Sequence, residues 1–415
     1  MGVIKSDALT EAGRDKLTII SLFILSALFI YGLQIKTISS LFLMAAFGVS
    51  LFMKDKKLTV NILFDTALVF LFCFIYYAIM LEHRQSVLDQ KMIIIVINFC
   101  LAYYLGAILS RMYLNLNVVL IIAVSGFVLF SNLTIFNHIL VAGNTINPDS
   151  IVLTNRNVPS IWGGAESDRV SATGLALYLA LGISLITAVY SHVNLYIKVY
   201  CVAISVLSLT AALAIQGRTP LITAIAILVL SSFLFLIRSL NTRKAVIRLS
   251  FLFAVLAILL AVYMDPLIDY IYTSPLFERQ VDMGMEDVRY TAWKEGLRSL
   301  VDHPFGGKMG EMTVTNFYHN LWLDIGWYGG VIPVMILLLI QLKHLPYVMR
   351  AIISDRYYIV LGLVLSFGAG MMVEPIMQGY NYYFILSFFI FAYIKYHGIE
   401  MSRRQQNHLD MTTKE

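Results

Sequence analysis

Three basic side chains in the sequence are candidates for phosphate binding and proton transfer. Arg218 lies in the segment QGRTP between two apolar runs, Arg289 lies in the segment DVRYTAWKEGL, and His319 begins the apolar stretch HNLWLDIGWYGG. Guanidinium groups bind phosphate oxygens with two parallel hydrogen bonds. An imidazole can accept a proton near neutral pH. If the fold brings the three together, they could bind a phosphorylated group and activate a nucleophile.

The two arginines stand in contexts that favour anion binding. Gly217 permits a sharp turn before Arg218, and Pro220 suits the first turn of the following helix. Arg289 lies in the first turn of a short amphipathic helix predicted by the apolar spacing, where a cation opposes the helix dipole unless an anion offsets it. The alternatives are a snorkelling interfacial arginine for Arg218 and a salt bridge to Asp287 or Glu286 for Arg289.

The elements that position these side chains are membrane helices. The 415 residues are 59% hydrophobic and 13% charged, with a net charge of +5, whereas soluble domains carry about 25% charged residues. This composition indicates an integral membrane protein, and the net charge gives no reason to expect a nucleic acid partner. A helix needs about 20 apolar residues to cross a bilayer. Twelve runs approach that length: 17–34, 37–53, 60–81, 92–110, 115–137, 172–191, 197–216, 219–237, 247–264, 320–342, 357–373 and 380–397.

We therefore predict an all-α integral membrane protein, a single domain over 1–415 with about twelve transmembrane helices. Lys and Arg are concentrated in the short loops on one side, which predicts that both termini are cytoplasmic. The two long polar segments, 138–171 and 265–319, then lie on the extracytoplasmic side and form a lid with short helices. Arg218, Arg289, His319 and Glu374 fall on this same side, and Glu374, at a helix end beside Pro375, is a candidate ion-pair partner of one of the arginines. Asp65 and Asp324 fall inside apolar runs, where each requires a polar partner.

This arrangement favours group transfer from an anchored lipid diphosphate. The loops show no carboxylate or histidine cluster with metal-ligand spacing, so guanidinium groups would neutralise the leaving group in place of a metal ion. An imidazole would activate the incoming hydroxyl, and the protein would position both reactants.

Four segments resemble the O-antigen ligase/polymerase superfamily of bacterial inner membranes. They are DRVSATG at 168–174, AIQGRTP at 214–220, VRYTAWKEG at 288–296 followed by HPF, and HN at 319–320 with trailing glycines. The ligase motif is His, then Asn, Ser or Gln, nine residues, Gly, two residues, and Gly, Thr or Tyr. Here His319-Asn320 is followed by nine residues and Gly330, and Pro333 departs from the last position.

The resemblance implies an O-antigen ligase that joins O-antigen from undecaprenyl diphosphate to lipid A–core oligosaccharide at the periplasmic face of the inner membrane. Such enzymes invert the anomeric centre and need no metal or other cofactor. Arg218 and Arg289 would hold the diphosphate, and His319 would deprotonate the acceptor hydroxyl. The expected partners are the donor, the acceptor and membrane lipid. The full predicted site has three catalytic residues, His319, Arg218 and Arg289, and five substrate-binding residues: Arg169, Asn320, Tyr318, Glu374 and Lys294.

Two alternatives stay open at this point. An O-antigen polymerase would use a second carrier-linked glycan as acceptor with the same chemistry. A transporter of lipid-linked glycan would perform no covalent step, and its polar residues would lie near the middle of the membrane in two repeated halves. The sequence has no visible internal repeat.

Overall fold

The fold is a bundle of apolar helices with one short β-hairpin. The structure is a computed structural model, and it describes residues 11–52, 59–84, 90–112, 114–141, 157–163, 169–215, 217–239, 288–307, 317–354 and 357–412. The elements in these ranges are α1 (Glu11–Gly32), α2 (Lys36–Ser50), α3 (Thr59–Arg84), α4 (Gln90–Leu109), α5 (Leu116–Val141), β1 (Asn157–Pro159), β2 (Arg169–Ser171), α6 (Ala172–Ser184), α7 (Leu195–Ala214), α8 (Arg218–Ser239), α9 (Val288–Asp302), α10 (Leu321–Gly329), α11 (Val331–Ile353), α12 (Tyr358–Val373), α13 (Ile376–Gly379) and α14 (Asn381–Thr412). A 3-10 helix, Leu185–Tyr190, continues α6, and β1 pairs antiparallel with β2.

Among the described residues, seven helical segments are long and apolar enough to cross a membrane: Val60–Glu82, Lys91–Leu109, Leu116–Val141, Ala172–Tyr190, Leu195–Ala214, Val331–Ile353 and Asn381–Gln406. Four shorter apolar helical segments coincide with further predicted runs: Leu17–Gly32, Thr37–Ser50, Arg218–Leu234 and Tyr358–Val373. The helical, multi-pass class predicted from the sequence is thus confirmed. The run 247–264 and most of the long segment 265–319 lie outside the described residues, so the number twelve stays a prediction.

Helices α6 and α12 run antiparallel in close contact. A Cβ atom added to Gly174 would lie 2.6 Å from the Tyr380 ring, and further along, the Ser366 hydroxyl donates to the carbonyl of Ala180 at 3.0 Å. Small residues let the two backbones approach, as is common between membrane helices. The first turn of α6 is therefore level with the end of α12. We call this end of the bundle, which carries Glu374, the site end.

A charged cluster joins four helices inside the bundle. Asp65 of α3 accepts hydrogen bonds from Lys343 of α11 at 2.6 Å and from Lys395 of α14. The hydroxyls of Tyr396 and Tyr103 donate to the same carboxylate at 2.7 and 3.3 Å. Burying a charge in apolar surroundings is costly unless it is paired and hydrogen-bonded. The polar partner expected for Asp65 is present, and it fixes α3, α4, α11 and α14 to one another.

The predicted span 320–342 is wrong in its boundaries. The chain forms two helices there, α10 and α11, which meet at Gly330. Gly330 has φ +77° and ψ −170°, a conformation that is available almost only to glycine. The backbone amide of Val331 donates to the carbonyl of Pro304 at 2.7 Å. At this break, the segment after α9 therefore packs against the α10–α11 junction. Helix α11 continues to Ile353, beyond the predicted end of the span.

We predict that Gly330→Ala destabilises the protein by about 1–3 kcal/mol. The added Cβ would force a left-handed backbone on a residue with a side chain, and it would lie 2.3 Å from the Pro304 carbonyl oxygen. The measurement is the unfolding midpoint of the purified protein in detergent. Gly48→Ala in α2 is the matched control, because its Cβ would meet no atom within 4 Å and alanine favours a helix interior. Equal unfolding midpoints for Gly330→Ala and the wild type would contradict this account of the junction.

Candidate functional site

A buried carboxylate at the site end lies between a guanidinium group and an imidazole. Glu374 Oε1 is 3.8 Å from Arg289 Nη2, and Glu374 Oε2 is 3.8 Å from His319 Nδ1. The Glu374 side chain is 6% exposed, whereas those of Arg289 and His319 are 38% and 31% exposed. Arg289 and His319 thus lie beside the carboxylate of Glu374, and the sequence had singled out all three residues. The side chains of Arg289 and His319 are partly exposed, so a ligand can reach them.

The end of α12 sets the position of Glu374. Its backbone is extended, its amide still donates to the carbonyl of Gly370 at 3.1 Å, and Pro375 follows. A residue before proline is disfavoured in the helical region, so the helix ends here. The amide of Ile376 then donates to the Glu374 carbonyl at 2.9 Å as α13 begins. The carboxylate therefore projects from a rigid helix end.

His319 is held in a left-handed backbone conformation by the carboxylate of Asp324. Its φ is +53°, which is uncommon for a residue other than glycine and costs on the order of 1–3 kcal/mol. Asp324, which is fully buried, accepts from the amide of Tyr318 at 2.8 Å and from the amide of Asn320 at 3.2 Å. The polar partners expected for Asp324 are thus the backbone amides on either side of His319. The Asn320 side chain caps α10 by accepting from the Leu323 amide at 3.2 Å.

The imidazole of His319 is oriented with one nitrogen inward. Its Nδ1 is buried and has no hydrogen-bond partner among the described residues, and the nearest acidic atom is Glu374 Oε2. Because the side chain as a whole is 31% exposed, the exposed part of the ring belongs to its other atoms. An imidazole placed this way can turn one edge toward a buried carboxylate and the other toward a reacting group.

Tyr318 and Asn320 are buried beside His319. The Tyr318 ring packs on Trp327 at a centroid distance of 4.9 Å, and a Cβ atom at Gly296 of α9 would lie 3.0 Å from it. Burial raises the pKa of the Tyr318 phenol, so the hydroxyl stays protonated at neutral pH. Both residues hold the turn before α10, and their predicted contacts with substrate stay predictions.

Arg218 lies at the same end of the bundle. It begins α8 directly after Gly217, where a Cβ would be 3.3 Å from Ala176 in the early part of α6. Since the start of α6 is level with the end of α12, Arg218 is placed at the site end with Glu374. Its side chain is half-buried.

Arg169 and Lys294 lie at the periphery. Arg169 is exposed at the start of β2, opposite Pro159 of β1. Lys294 is exposed on α9, about 140° around the helix from Arg289 at 100° per residue. Their predicted roles in substrate binding stay predictions.

The sequence did not predict that Glu374 would approach the imidazole. The sequence showed a carboxylate followed by proline at the end of an apolar run. This pattern predicted an arginine partner for Glu374 but not a histidine partner. Within the described ranges, no group of three or more His, Cys, Asp or Glu side chains could hold a metal ion.

No protein-family model matches the chain, and no curated protein matches its sequence. The guanidinium groups of Arg289 and Arg218 have the chemistry to bind an anion, and the imidazole of His319, next to the Glu374 carboxylate, has the chemistry to accept a proton.

We predict that Asp324→Ala releases the turn that carries His319. The substitution removes both acceptors for the Tyr318 and Asn320 amides, and each buried unpaired donor costs about 1–3 kcal/mol. Hydrogen exchange measured by mass spectrometry should show lost protection over residues 317–321. Asp302→Ala is the control, because Asp302 pairs with Arg298 on the surface, where both side chains are more than half exposed. Unchanged protection in Asp324→Ala would show that Asp324 does not hold the turn.

Proposed function

We propose that this chain is an O-antigen ligase of a bacterial inner membrane. It transfers O-antigen polysaccharide from undecaprenyl diphosphate to the lipid A–core oligosaccharide at the periplasmic face, and its twelve spans leave both termini in the cytoplasm. The observation that carries the proposal is the contact of one buried carboxylate, Glu374, with both Arg289 and His319. Arg289, the proposed ligand of the leaving diphosphate, therefore lies next to His319, the proposed base for the acceptor hydroxyl.

In the proposed reaction, the two arginines hold the donor diphosphate. The acceptor hydroxyl oxygen forms a bond to the anomeric carbon of the donor glycan from the side opposite the diphosphate. The bond between that carbon and the diphosphate oxygen breaks, and undecaprenyl diphosphate leaves with the electron pair, so the anomeric centre inverts. The guanidinium groups stabilise the charge that develops on the leaving oxygen.

His319 takes the proton of the acceptor hydroxyl through the edge of its ring that faces away from Glu374. Glu374 orients the imidazole and stabilises the imidazolium that forms, as a buried carboxylate does when it is paired with a catalytic histidine. Its second oxygen keeps Arg289 beside the same site. A single buried side chain thus places the base relative to the phosphate ligand.

An O-antigen polymerase is the second candidate, and the departure at Pro333 from the ligase motif favours it. The chemistry would be the same, with a second carrier-linked glycan as acceptor. The charged cluster around Asp65, far inside the helices, is the feature that favours a transporter instead. A transporter would move lipid-linked glycan in reconstituted vesicles without releasing undecaprenyl diphosphate.

The deciding experiment supplies the purified full-length chain with lipid-linked glycan and two acceptors in separate reactions. Transfer to lipid A–core identifies the ligase, and transfer to a second carrier-linked unit identifies the polymerase. Absence of transfer to both acceptors would contradict both proposals.

We predict that His319→Ala lowers the rate of transfer by at least about a hundredfold, the contribution typical of a general base. Glu374→Gln should lower kcat to a smaller degree, because an amide can still contact the ring but cannot stabilise the imidazolium by charge. The measurement is the initial rate of transfer in reconstituted membranes. Glu400→Gln is the control, since Glu400 pairs with Arg404 one helical turn away. Normal rates for His319→Ala would refute its role as base.

We predict that Arg218→Lys slows transfer by roughly ten- to a hundredfold. A lysine keeps the charge but loses the fork that makes two hydrogen bonds, and a hydrogen bond to a charged group contributes about 1.5–3 kcal/mol. Arg298→Lys provides the control, because Arg298 is 85% exposed in a surface pair. Equal loss in the two variants, or none in Arg218→Lys, would argue against a phosphate contact.

A further inference from the structure

A second cluster of polar side chains lies beside the site end. Its members are four tyrosines and two side-chain amides, and none of them is charged. They are Tyr31, Gln34, Asn98, Tyr178, Tyr380 and Tyr382. Tyr31 and Gln34 end α1 and begin the α1–α2 turn, and Tyr380 and Tyr382 flank the start of α14. Tyr380 follows Glu374 by six positions, across α13, which is a distance on the order of 10 Å for helical chain. We call this the tyrosine–amide cluster.

The members of the tyrosine–amide cluster are in mutual contact. The rings of Tyr31 and Tyr382 are 5.1 Å apart between centroids. Tyr31 interacts electrostatically with Tyr178. Asn98 acts on the Tyr31 hydroxyl, and Gln34 on the Tyr178 hydroxyl, as a nearby hydrogen-bonding group, but neither contact has the geometry of a full hydrogen bond. The cluster is therefore one continuous polar region between α1, α4, α6 and α14.

Three buried atoms of this cluster lack a hydrogen-bond partner among the described residues. They are the Tyr31 hydroxyl, Gln34 Nε2 and Asn98 Oδ1. Tyr31 and Asn98 are only 2% and 3% exposed. The other amide atom of Asn98 is satisfied, because Nδ2 donates to the Ser40 hydroxyl at 2.9 Å. A buried unpaired polar group costs about 1–3 kcal/mol, so three of them in one place favour a polar occupant, which is either a ligand or ordered water.

The backbone around the cluster supports the same conclusion. Gln34 has φ +54°, and such conformations in residues other than glycine concentrate at ligand sites. Trp162 of the β-hairpin region donates from its indole nitrogen to the Leu33 carbonyl at 2.6 Å and stays 39% exposed. The Tyr380 hydroxyl lies 3.4 Å from the Ser171 hydroxyl of β2. The hairpin thus borders the cluster and presents an aromatic ring beside it.

The chemistry of the cluster fits a neutral sugar. An apolar ligand would leave the three polar atoms unpaired, and an ionic ligand would find no opposite charge among the cluster side chains. A sugar ring presents hydroxyls that both donate and accept, together with an apolar face that can pack on tyrosine and tryptophan rings. The free atoms include a donor, an acceptor and a hydroxyl that can do both.

We propose that the tyrosine–amide cluster is a subsite for a neutral sugar residue of the glycan. The inference rests on the proposed function, and it places this sugar away from the reacting one, on the α1–α14 side of Glu374. Tyr31, Gln34 and Asn98 bind its hydroxyls, and the aromatic rings pack on its face. Ordered water is the rival occupant, since buried water commonly satisfies such atoms.

The test measures binding of the full-length chain, in lipid nanodiscs, to an array of neutral and charged bacterial oligosaccharides. The wild type should bind neutral glycans, and Tyr31→Phe and Gln34→Ala should each weaken that binding about fivefold, the effect of one lost hydrogen bond. Tyr31→Phe should unfold at or above the wild-type temperature, because it removes only an unpaired hydroxyl. Gln406→Ala, exposed near the far end of α14, should match the wild type in both measurements.

The proposal is overturned if the wild type binds no neutral glycan, or if Tyr31→Phe and Gln34→Ala bind as well as the wild type. Either result assigns the three atoms to water. His319→Ala separates this inference from the proposed function, because it should abolish transfer and leave glycan binding intact. If the wild type transfers glycan but Tyr31→Phe and Gln34→Ala bind it as well as the wild type does, the subsite alone is refuted. If the wild type binds neutral glycan at this cluster but transfers none, the ligase function alone is refuted.

Discussion

The site depends on the cost of burying the Glu374 carboxylate. A carboxylate that is 6% exposed in apolar surroundings requires compensation by cations and hydrogen-bond donors. Arg289 comes from α9, His319 from the turn before α10, and Glu374 from the end of α12. These elements are distant in sequence, and the packing of the helices brings their charged side chains together around this carboxylate. The packing of Tyr318 against Gly296 joins α9 to the same turn.

The Asp65 cluster supplies a second fixed point for the same helices. Lys343 lies twelve residues beyond Val331 on α11, which is about 18 Å at 1.5 Å per residue. One helix therefore connects the charged cluster to the junction at Gly330, and α14 connects it to the segment that follows Glu374. The buried ion pairs set the register of α3, α4, α11 and α14. The helices that carry the site end are therefore fixed relative to one another. A transfer reaction needs such support because the two reactants must be held in the correct relative orientation.

Local patterns in the sequence predicted the apolar helices, because hydrophobic runs are local properties, and they marked His319 and Arg289 as candidates whose roles stay predictions. The break at Gly330 was missed, since the run 320–342 is mostly apolar on both sides of Gly330 and the break involves a distant contact with Pro304. The approach of Glu374 to His319 was missed for the same reason. A pairing across 55 residues is decided by tertiary packing, and the sequence shows only that a buried carboxylate needs a partner.

The distances around Glu374 also indicate how donor binding and base activation could be coupled. Both contacts, at 3.8 Å, are longer than a hydrogen bond, so the carboxylate is shared between Arg289 and His319. On the proposed function, a bound diphosphate would attract the Arg289 guanidinium more strongly than a single carboxylate does. Glu374 would then be free to draw the His319 Nδ1–H into a full hydrogen bond, which fixes the ring tautomer in which the opposite nitrogen carries the free lone pair. Arrival of the donor would thus prepare the imidazole for the acceptor, because one buried charge serves both partners.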